Sequence, residues 1–156
     1  MIYKIEKLKE LLKKYKVNLY GDFVKNNSNY DGDICHILGI DENTGRYWDA
    51  QFEGLKIEFK KGKSIWLDLI RYSEIHLGIN DNSKEKTITL FFIPDKDRNK
   101  IIEIIGVSTD KIIGKLSLNK ETSEILIELN NKMPRSLNAQ ASLTVKDIKD
   151  FADFII

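Results

Sequence analysis

The sequence predicts a mixed α/β domain in which helices, a β-hairpin and single strands follow one another along the chain. Three observations lead to this prediction. Apolar residues recur at helical spacing near both ends of the chain, as in amphipathic helices. Apolar and polar residues alternate over Leu55–Lys60, which is the pattern of a strand. Thr87–Ile93 is rich in β-branched and aromatic residues and is followed by Pro94, which predicts a central strand.

Length and composition place these elements in one domain over residues 1–156, which is enough chain for a sizeable core. The 25 basic and 24 acidic residues nearly cancel, so any surface for nucleic acid must be local. The single Cys35 excludes an internal disulfide and a Cys-rich zinc site, and favours a reducing compartment. No apolar run approaches the roughly 20 residues of a membrane span, and no signal peptide is evident. We therefore expect a soluble, cytoplasmic protein that does not contact membranes.

Local patterns predict the elements of the N-terminal half. Residues 3–16 are predicted to form an amphipathic helix whose lysine-rich face is either solvated or in contact with phosphates. Residues 26–33 have turn chemistry and predict a loop, which either approaches DNA or contributes a further acidic group. Glu53-Gly54-Leu55 predicts a hairpin turn, since glycine accepts positive φ at little cost. Residues 64–77 predict a helix capped by Ser64.

The C-terminal half is less clearly patterned. Asn99–Ile105 predicts a helix, with a strand as the alternative, and Lys111–Leu118 is ambiguous in the same way. Ile125–Leu129 predicts a strand by its alternation. Residues 130–142 are polar, and Arg135 and Asn138 within them are of the types that bind guanine and adenine edges. This stretch is either part of a DNA-recognition surface or an ordinary loop. A final helix capped by Thr144 is expected to follow.

A constellation of two carboxylates and a lysine is the candidate active site. The predicted hairpin would bring Asp49 beside Glu58, and alternation puts Glu58 and Lys60 on one face of the strand. Magnesium prefers oxygen ligands and keeps several waters, so two carboxylates suffice to hold it beside a phosphate. A nearby lysine can stabilise an attacking hydroxide or the charge of the transition state. The alternative is a solvated strand face, because Glu-x-Lys is common by chance.

The residues around this constellation resemble a known family. Asp49-Ala50, a short hairpin, Glu58-Phe59-Lys60 and then Lys61-Gly62-Lys63-Ser64 are similar to the core of the PD-(D/E)xK nuclease superfamily. The likeness is greatest to small type II restriction endonucleases of the PvuII kind, and it covers about residues 46–75. Trp48 stands where the motif has proline, at a position that varies in the family. The resemblance implies a restriction-endonuclease-like core, with a mixed central β-sheet flanked by helices.

Carried over by position, the resemblance implies that Asp49 and Glu58 bind Mg²⁺ together with the Phe59 carbonyl, and that Lys60 is the catalytic lysine. Further expected DNA contacts lie on both sides of this motif. They are Lys61, Lys63 and Ser64, where a helix N-terminus is expected to meet a phosphate, and Arg71, Arg135 and Asn138. For Arg71, an ion pair with Asp68 or Glu74 is the alternative.

These expectations combine into a Mg²⁺-dependent type II restriction endonuclease that acts as a homodimer on a short specific sequence in double-stranded DNA. A dimer is expected because two active sites related by two-fold symmetry match a palindromic target. A Holliday-junction resolvase, or a repair or mobile-element nuclease of the same fold, would instead cut by DNA structure. A non-catalytic DNA-binding module is the alternative from a different class, and it would bind no metal at Asp49 and Glu58.

Overall fold

The computed structural model describes residues 2–23, 29–44, 48–79, 86–133 and 138–156. The helices in these ranges are α1 (Ile2–Tyr15), α2 (Tyr30–Leu38), α3 (Leu69–His76), α4 (Thr109–Lys115), α5 (Lys120–Lys132) and α6 (Val145–Asp150), and a 3₁₀ turn (Lys16–Asn18) follows α1. The strands are β1 (Asp41–Glu42), β2 (Ala50–Phe52), β3 (Leu55–Lys61), β4 (Ile65–Asp68), β5 (Thr87–Pro94), β6 (Ile101–Ser108), β7 (Gln140–Leu143) and β8 (Phe154–Ile155). Together they form a mixed α/β fold, as predicted.

The central sheet has six strands in the order β1-β2-β3-β5-β6-β8. It is a mixed sheet, because β3 and β5 are parallel whereas the other neighbours are antiparallel. The connection from β3 to β5 contains β4 and α3, in keeping with the long crossover that parallel strands need. Strands β4 and β7 form a separate two-stranded antiparallel sheet. The prediction of a mixed central sheet flanked by helices is therefore confirmed.

The predicted hairpin is confirmed, and its register determines the position of the candidate site. Glu53 and Gly54 both have positive φ, at 50° and 81°, as in the two-residue turns that match the twist of a hairpin. The last pair of β2 and β3 in this ladder is Ala50↔Ile57. Strand β3 continues to Lys61 and pairs with β5 along its other edge. Among the described residues, β3 therefore has no β2 partner beyond Ile57.

Apolar side chains bury both faces of the sheet. On one face, α1 and α2 pack over residues such as Ile57, Phe59, Leu90 and Phe92. On the other face, α3, α4 and α6 pack over residues that include Phe91, Ile93, Ile105 and Val107. Strand β5 is buried along its whole length, as expected of a central strand. None of the helices in the described part of the chain is long and apolar enough to cross a membrane.

The prediction of one helix over residues 64–77, capped by Ser64, is wrong. Ile65–Asp68 is β4, in which Ile65 and Leu67 are buried and Trp66 is exposed, and it pairs with β7. The helix begins only at Leu69, and Asp68 caps it by accepting the N–H groups of Ile70 and Arg71. The apolar residues of this stretch fit both the period of a helix and that of a strand, and pairing with the distant β7 selects the strand for Ile65–Asp68.

Two further predictions from short apolar runs are also wrong. Asn99–Ile105 was expected to be helical, but Ile101–Ser108 is β6, in agreement with the alternative strand interpretation. Ile125–Leu129 was expected to be a strand, but it lies within α5. Asn119 caps α5, and pairs at i, i+4 such as Glu128–Lys132 support the helix. The ambiguous segment Lys111–Leu118 is largely helical, within α4.

The predicted loop over residues 26–33 is corrected where the structure describes it. Residues 29–33 belong to the start of α2, because the Asn29 side chain accepts the Gly32 N–H and Asp31 and Asp33 lie in the first turn. The predicted final helix is confirmed, and Thr144 caps it in a full capping box with Asp147. This helix ends at Asp150, and Phe154 of β8 then packs against Gly106 of β6.

Candidate active site

The candidate site lies at the edge of β3 that β2 leaves uncovered. The Asp49 N–H donates to the Ile57 carbonyl, which holds the start of the hairpin against β3. Two residues further along β3, the Phe59 N–H donates to Asp49 Oδ2 at 2.7 Å. The side chain of Asp49 thus replaces the missing strand partner. Because the N–H and C=O of one strand residue point to the same side, the Phe59 carbonyl faces the same edge as Asp49.

Glu58 and Lys60 share the face of β3 that α3 covers. Glu58 is buried, with 8% of its surface exposed, and Lys60 Nζ lies 3.8 Å from Glu58 Oε1. Arg71, in the first half of α3, donates through Nη1 to both Glu58 oxygens at 2.9 Å. The α3 helix is held over this face by its apolar side chains and by a hydrogen bond between Tyr72 and Thr89. The predicted approach of Glu58 and Lys60 is confirmed, and Arg71 joins them.

A third carboxylate approaches from the opposite face of the sheet. Asp31, in the first turn of α2, accepts a hydrogen bond from Lys61 Nζ at 2.6 Å. Asp31 also lies near Asp49, whose pKa it raises. The region of residues 26–33 therefore does contribute a further acidic group, which was one of the two alternatives drawn from the sequence.

Burial and mutual repulsion raise the pKa values of the two central carboxyl groups. Burial raises the pKa of Asp49, the Phe59 N–H opposes this, and the charge of Asp31 raises it further. Burial and the charge of Asp49 raise the pKa of Glu58 to about 7, against the lowering effect of Arg71 and Lys60. Carboxyl groups that are difficult to ionise together are the groups that a divalent cation would stabilise as carboxylates.

The donor set fits a cation that needs few protein ligands. Within the described residues, no three His, Cys, Asp or Glu side chains converge closely enough to form a complete metal site. Asp49, Glu58 and the Phe59 carbonyl offer two carboxylates and one backbone oxygen. Magnesium accepts such a set, because it is commonly held by one or two carboxylates together with waters and substrate phosphate. The all-oxygen chemistry fits magnesium and does not suit zinc, which prefers nitrogen and sulfur.

The other predicted DNA contacts occupy different positions around this site. Lys61 pairs with Asp31, and Lys63 and Ser64 are exposed in the turn between β3 and β4. No helix begins at Ser64, so the expected phosphate site at a helix N-terminus is absent from that turn. Asn138 is exposed next to Ala139, whose carbonyl accepts the N–H of Leu69 at the start of α3. Arg135 lies outside the described residues.

Sequence reasoning missed two features of the site. It did not recognise α2, although Asn29 followed by Asp31 and Asp33, with Gly39 at the other end, is a complete set of helix start and stop signals. It also did not identify Glu58 as a partner of Arg71, which donates to both Glu58 oxygens. No local signal could have revealed this pair, because it depends on how α3 lies across β3.

Comparison with known proteins assigns no family to this chain. Neither a protein-family model nor a curated protein sequence matches it. The functional interpretation therefore rests on the geometry of the site and on the resemblance of its motif.

Proposed function

We propose that this protein is a Mg²⁺-dependent endodeoxyribonuclease that hydrolyses phosphodiester bonds in double-stranded DNA, as a type II restriction endonuclease. The observation that carries this proposal is the joining of Asp49 to the β3 backbone at Phe59, directly beside buried Glu58 and Lys60. These are the residues at which the motif resembles the PD-(D/E)xK nucleases. The order of helix, hairpin, Glu-x-Lys strand, helix and parallel strand supports the same core.

In this proposal Asp49, Glu58 and the Phe59 carbonyl hold the metal ion. A bound Mg²⁺ would supply a water of lowered pKa and neutralise charge on the phosphate. The short Asp49–Phe59 hydrogen bond fixes the Asp49 carboxylate at the strand edge and limits its rotation. Burial of Glu58 beneath α3 keeps bulk water from one side of the site.

Two cations act on the same centre. Lys60 is partly exposed, with 27% of its side chain accessible, so its ammonium group can reach a phosphate in front of the site. There it stabilises the negative charge that grows in the transition state. Arg71 donates through Nη1 to both Glu58 oxygens. Its guanidinium thus adds positive charge beside the carboxylate that would hold the metal ion.

A homodimer and a cytoplasmic location belong to the same proposal. One such site per chain cuts one strand, and two sites related by two-fold symmetry would cut both strands of a palindrome. Cys35 is buried and free, which is compatible with a reducing compartment. Sequence-specific cleavage distinguishes this function from that of a Holliday-junction resolvase, which would prefer a four-way junction.

The test compares linear duplexes of varied sequence with a four-way junction, in Mg²⁺ and in EDTA. We expect Mg²⁺-dependent cleavage of a subset of the duplexes, and a rate lower by roughly 100-fold or more in Asp49→Asn and Lys60→Met. Lys115→Met is the matched control, because Lys115 is exposed on α4. Preferential cutting of the junction would reassign the protein to the resolvases. Undiminished cleavage by Lys60→Met would remove Lys60 from the mechanism.

A further inference from the structure

A cationic cleft opens next to the candidate site, at the C-terminal ends of the parallel strands β3 and β5. It has a volume of about 370 Å³ and is bordered by the turn after β3 and by the turn between β5 and β6. Four basic residues line it, namely Lys61, Lys63, Lys96 and Arg98, against one acidic residue, Asp95.

The charges of this cleft are incompletely compensated. Lys61 is neutralised by Asp31 at 2.6 Å. The single lining carboxylate, Asp95, is used within its own turn, where its Oδ1 accepts the Asn99 N–H at 2.7 Å. Lys63, Lys96 and Arg98 are exposed, and no ion pair joins any of them to another side chain in the described ranges. Three cations thus border one concave site, where their fields add and attract an anion.

The β5–β6 turn that carries Lys96 and Arg98 is a defined structure. The Asp95 N–H donates to the Lys100 carbonyl at 2.9 Å, and the Arg98 N–H donates to the Asp95 carbonyl at 3.2 Å. Gly21 packs so closely beneath the turn that a Cβ there would lie 2.7 Å from the Lys100 oxygen. The cations are therefore presented from a backbone that is held on both sides, which lowers the entropic cost of ordering them around a ligand.

We propose that this cleft binds a backbone phosphate of duplex DNA close to the bond that is cut. The proposal rests on the proposed nuclease function and extends it to residues outside the motif. Lys60 and Lys63 are separated by at most about 10 Å of extended chain. The cleft and the candidate site therefore lie near the same end of β3. Contacts to phosphate position the duplex and carry no sequence information.

The test measures binding of fluorescently labelled duplexes by anisotropy in EDTA, so that no cleavage occurs. The variant is Lys96→Ala/Arg98→Ala. The control is Lys120→Ala/Lys146→Ala, which removes two exposed lysines from α5 and α6. Thermal melting of both variants verifies that they are folded.

We expect the Lys96→Ala/Arg98→Ala variant to bind roughly tenfold more weakly, by the same factor for every duplex sequence. The slope of log K against log salt should become shallower by about 1, because one phosphate contact is lost. The control should keep the affinity and slope of the wild type. The proposal is overturned if the cleft variant binds like the wild type, if the control loses as much, or if no duplex binds. Binding of inorganic phosphate by the wild type, with unchanged DNA affinity in the cleft variant, would assign the cleft to a free anion.

The two proposals can fail separately in this design. A wild type that cuts DNA while the cleft variant binds normally would refute the cleft and leave the nuclease intact. A wild type that never cuts in Mg²⁺, but whose DNA affinity depends on Lys96 and Arg98, would refute the nuclease and the position assigned beside a cut bond, and would leave the cleft as a site for duplex phosphate.

Discussion

Replacement of Glu58 by glutamine should stabilise the metal-free protein, and increasingly so as the pH rises. Glu58 is 8% exposed and lies beside Asp49, and together these raise its pKa from 4.5 to about 7. The unfolded chain ionises Glu58 near its ordinary pKa. The folded chain retains the proton until about pH 7, so ionisation favours the unfolded state between these two values.

The magnitude follows from the pKa difference. Each pKa unit corresponds to about 1.4 kcal/mol, so the carboxylate form of Glu58 lowers the free energy of unfolding by about 3 kcal/mol above pH 7. Below pH 4.5 both states are protonated, and the contribution vanishes. Glutamine carries no charge at any pH and still accepts hydrogen bonds from Arg71. The advantage of Glu58→Gln should therefore grow from near zero at pH 4.5 to about 3 kcal/mol at pH 8.

Urea denaturation in EDTA at several pH values measures this advantage directly. Glu10→Gln is the control, because 67% of the Glu10 side chain is exposed and its replacement should have a small effect that hardly changes with pH. A difference between Glu58→Gln and wild type that stays constant from pH 4.5 to 8, or that favours the wild type at pH 8, would refute the assigned burial and repulsion at Glu58.

Three more predictions follow from the same structure. Binding of Mg²⁺ at pH 6 should release about one proton, because Glu58 must ionise. Below pH 7 the affinity for Mg²⁺ should therefore rise about tenfold for each unit by which the pH increases. Calorimetry in buffers of different ionisation enthalpy measures the proton release, and binding without it would contradict this prediction. Arg71→Met should bind Mg²⁺ more tightly than wild type at pH 9 by calorimetry, since a cation that competes for both Glu58 oxygens is removed; equal or weaker binding would show that Arg71 does not compete. Gly106→Ala should lower the free energy of unfolding in urea by roughly 1–3 kcal/mol, because its Cβ would lie 2.3 Å from the Phe154 ring. Gly114→Ala, which meets no atom within 4 Å on α4, is the matched control, and an equal loss in both variants would argue against the packing at Phe154.

Local signals in the sequence were sufficient to predict the hairpin and its site. Glu53-Gly54 specifies a two-residue turn, and that turn fixes the register that places Asp49 beside the Glu58 strand. Alternation then puts Glu58 and Lys60 on one face, where Lys60 Nζ lies 3.8 Å from Glu58 Oε1. The central strand β5 was equally evident, because β-branched and aromatic residues fill it without interruption.

Contacts between distant parts of the chain decided what local signals could not. Ile65–Asp68 becomes a strand because β7, more than 70 residues away, pairs with it. Ile125–Leu129 alternates like a strand, but charges within and beside it pair at the helical spacing of i, i+4. The pairs Arg71–Glu58 and Lys61–Asp31 join elements on opposite faces of β3, so they depend on how α3 and α2 pack. A short apolar run fits both a helix and a strand, and its tertiary contacts then select one of the two.

The most direct test of the central claim compares cleavage by wild type and by Glu58→Gln of long, sequence-diverse linear DNA amplified in vitro, in Mg²⁺. Amplification removes base modification, and the glutamine variant is expected to be the better folded of the two proteins. We predict discrete, reproducible fragments with the wild type and intact DNA with Glu58→Gln. Because the variant remains folded, its loss of cleavage would be a loss of catalysis. Equal fragmentation by both proteins, or intact DNA with the wild type, would contradict the assignment of Asp49, Glu58 and Lys60 as a nuclease site.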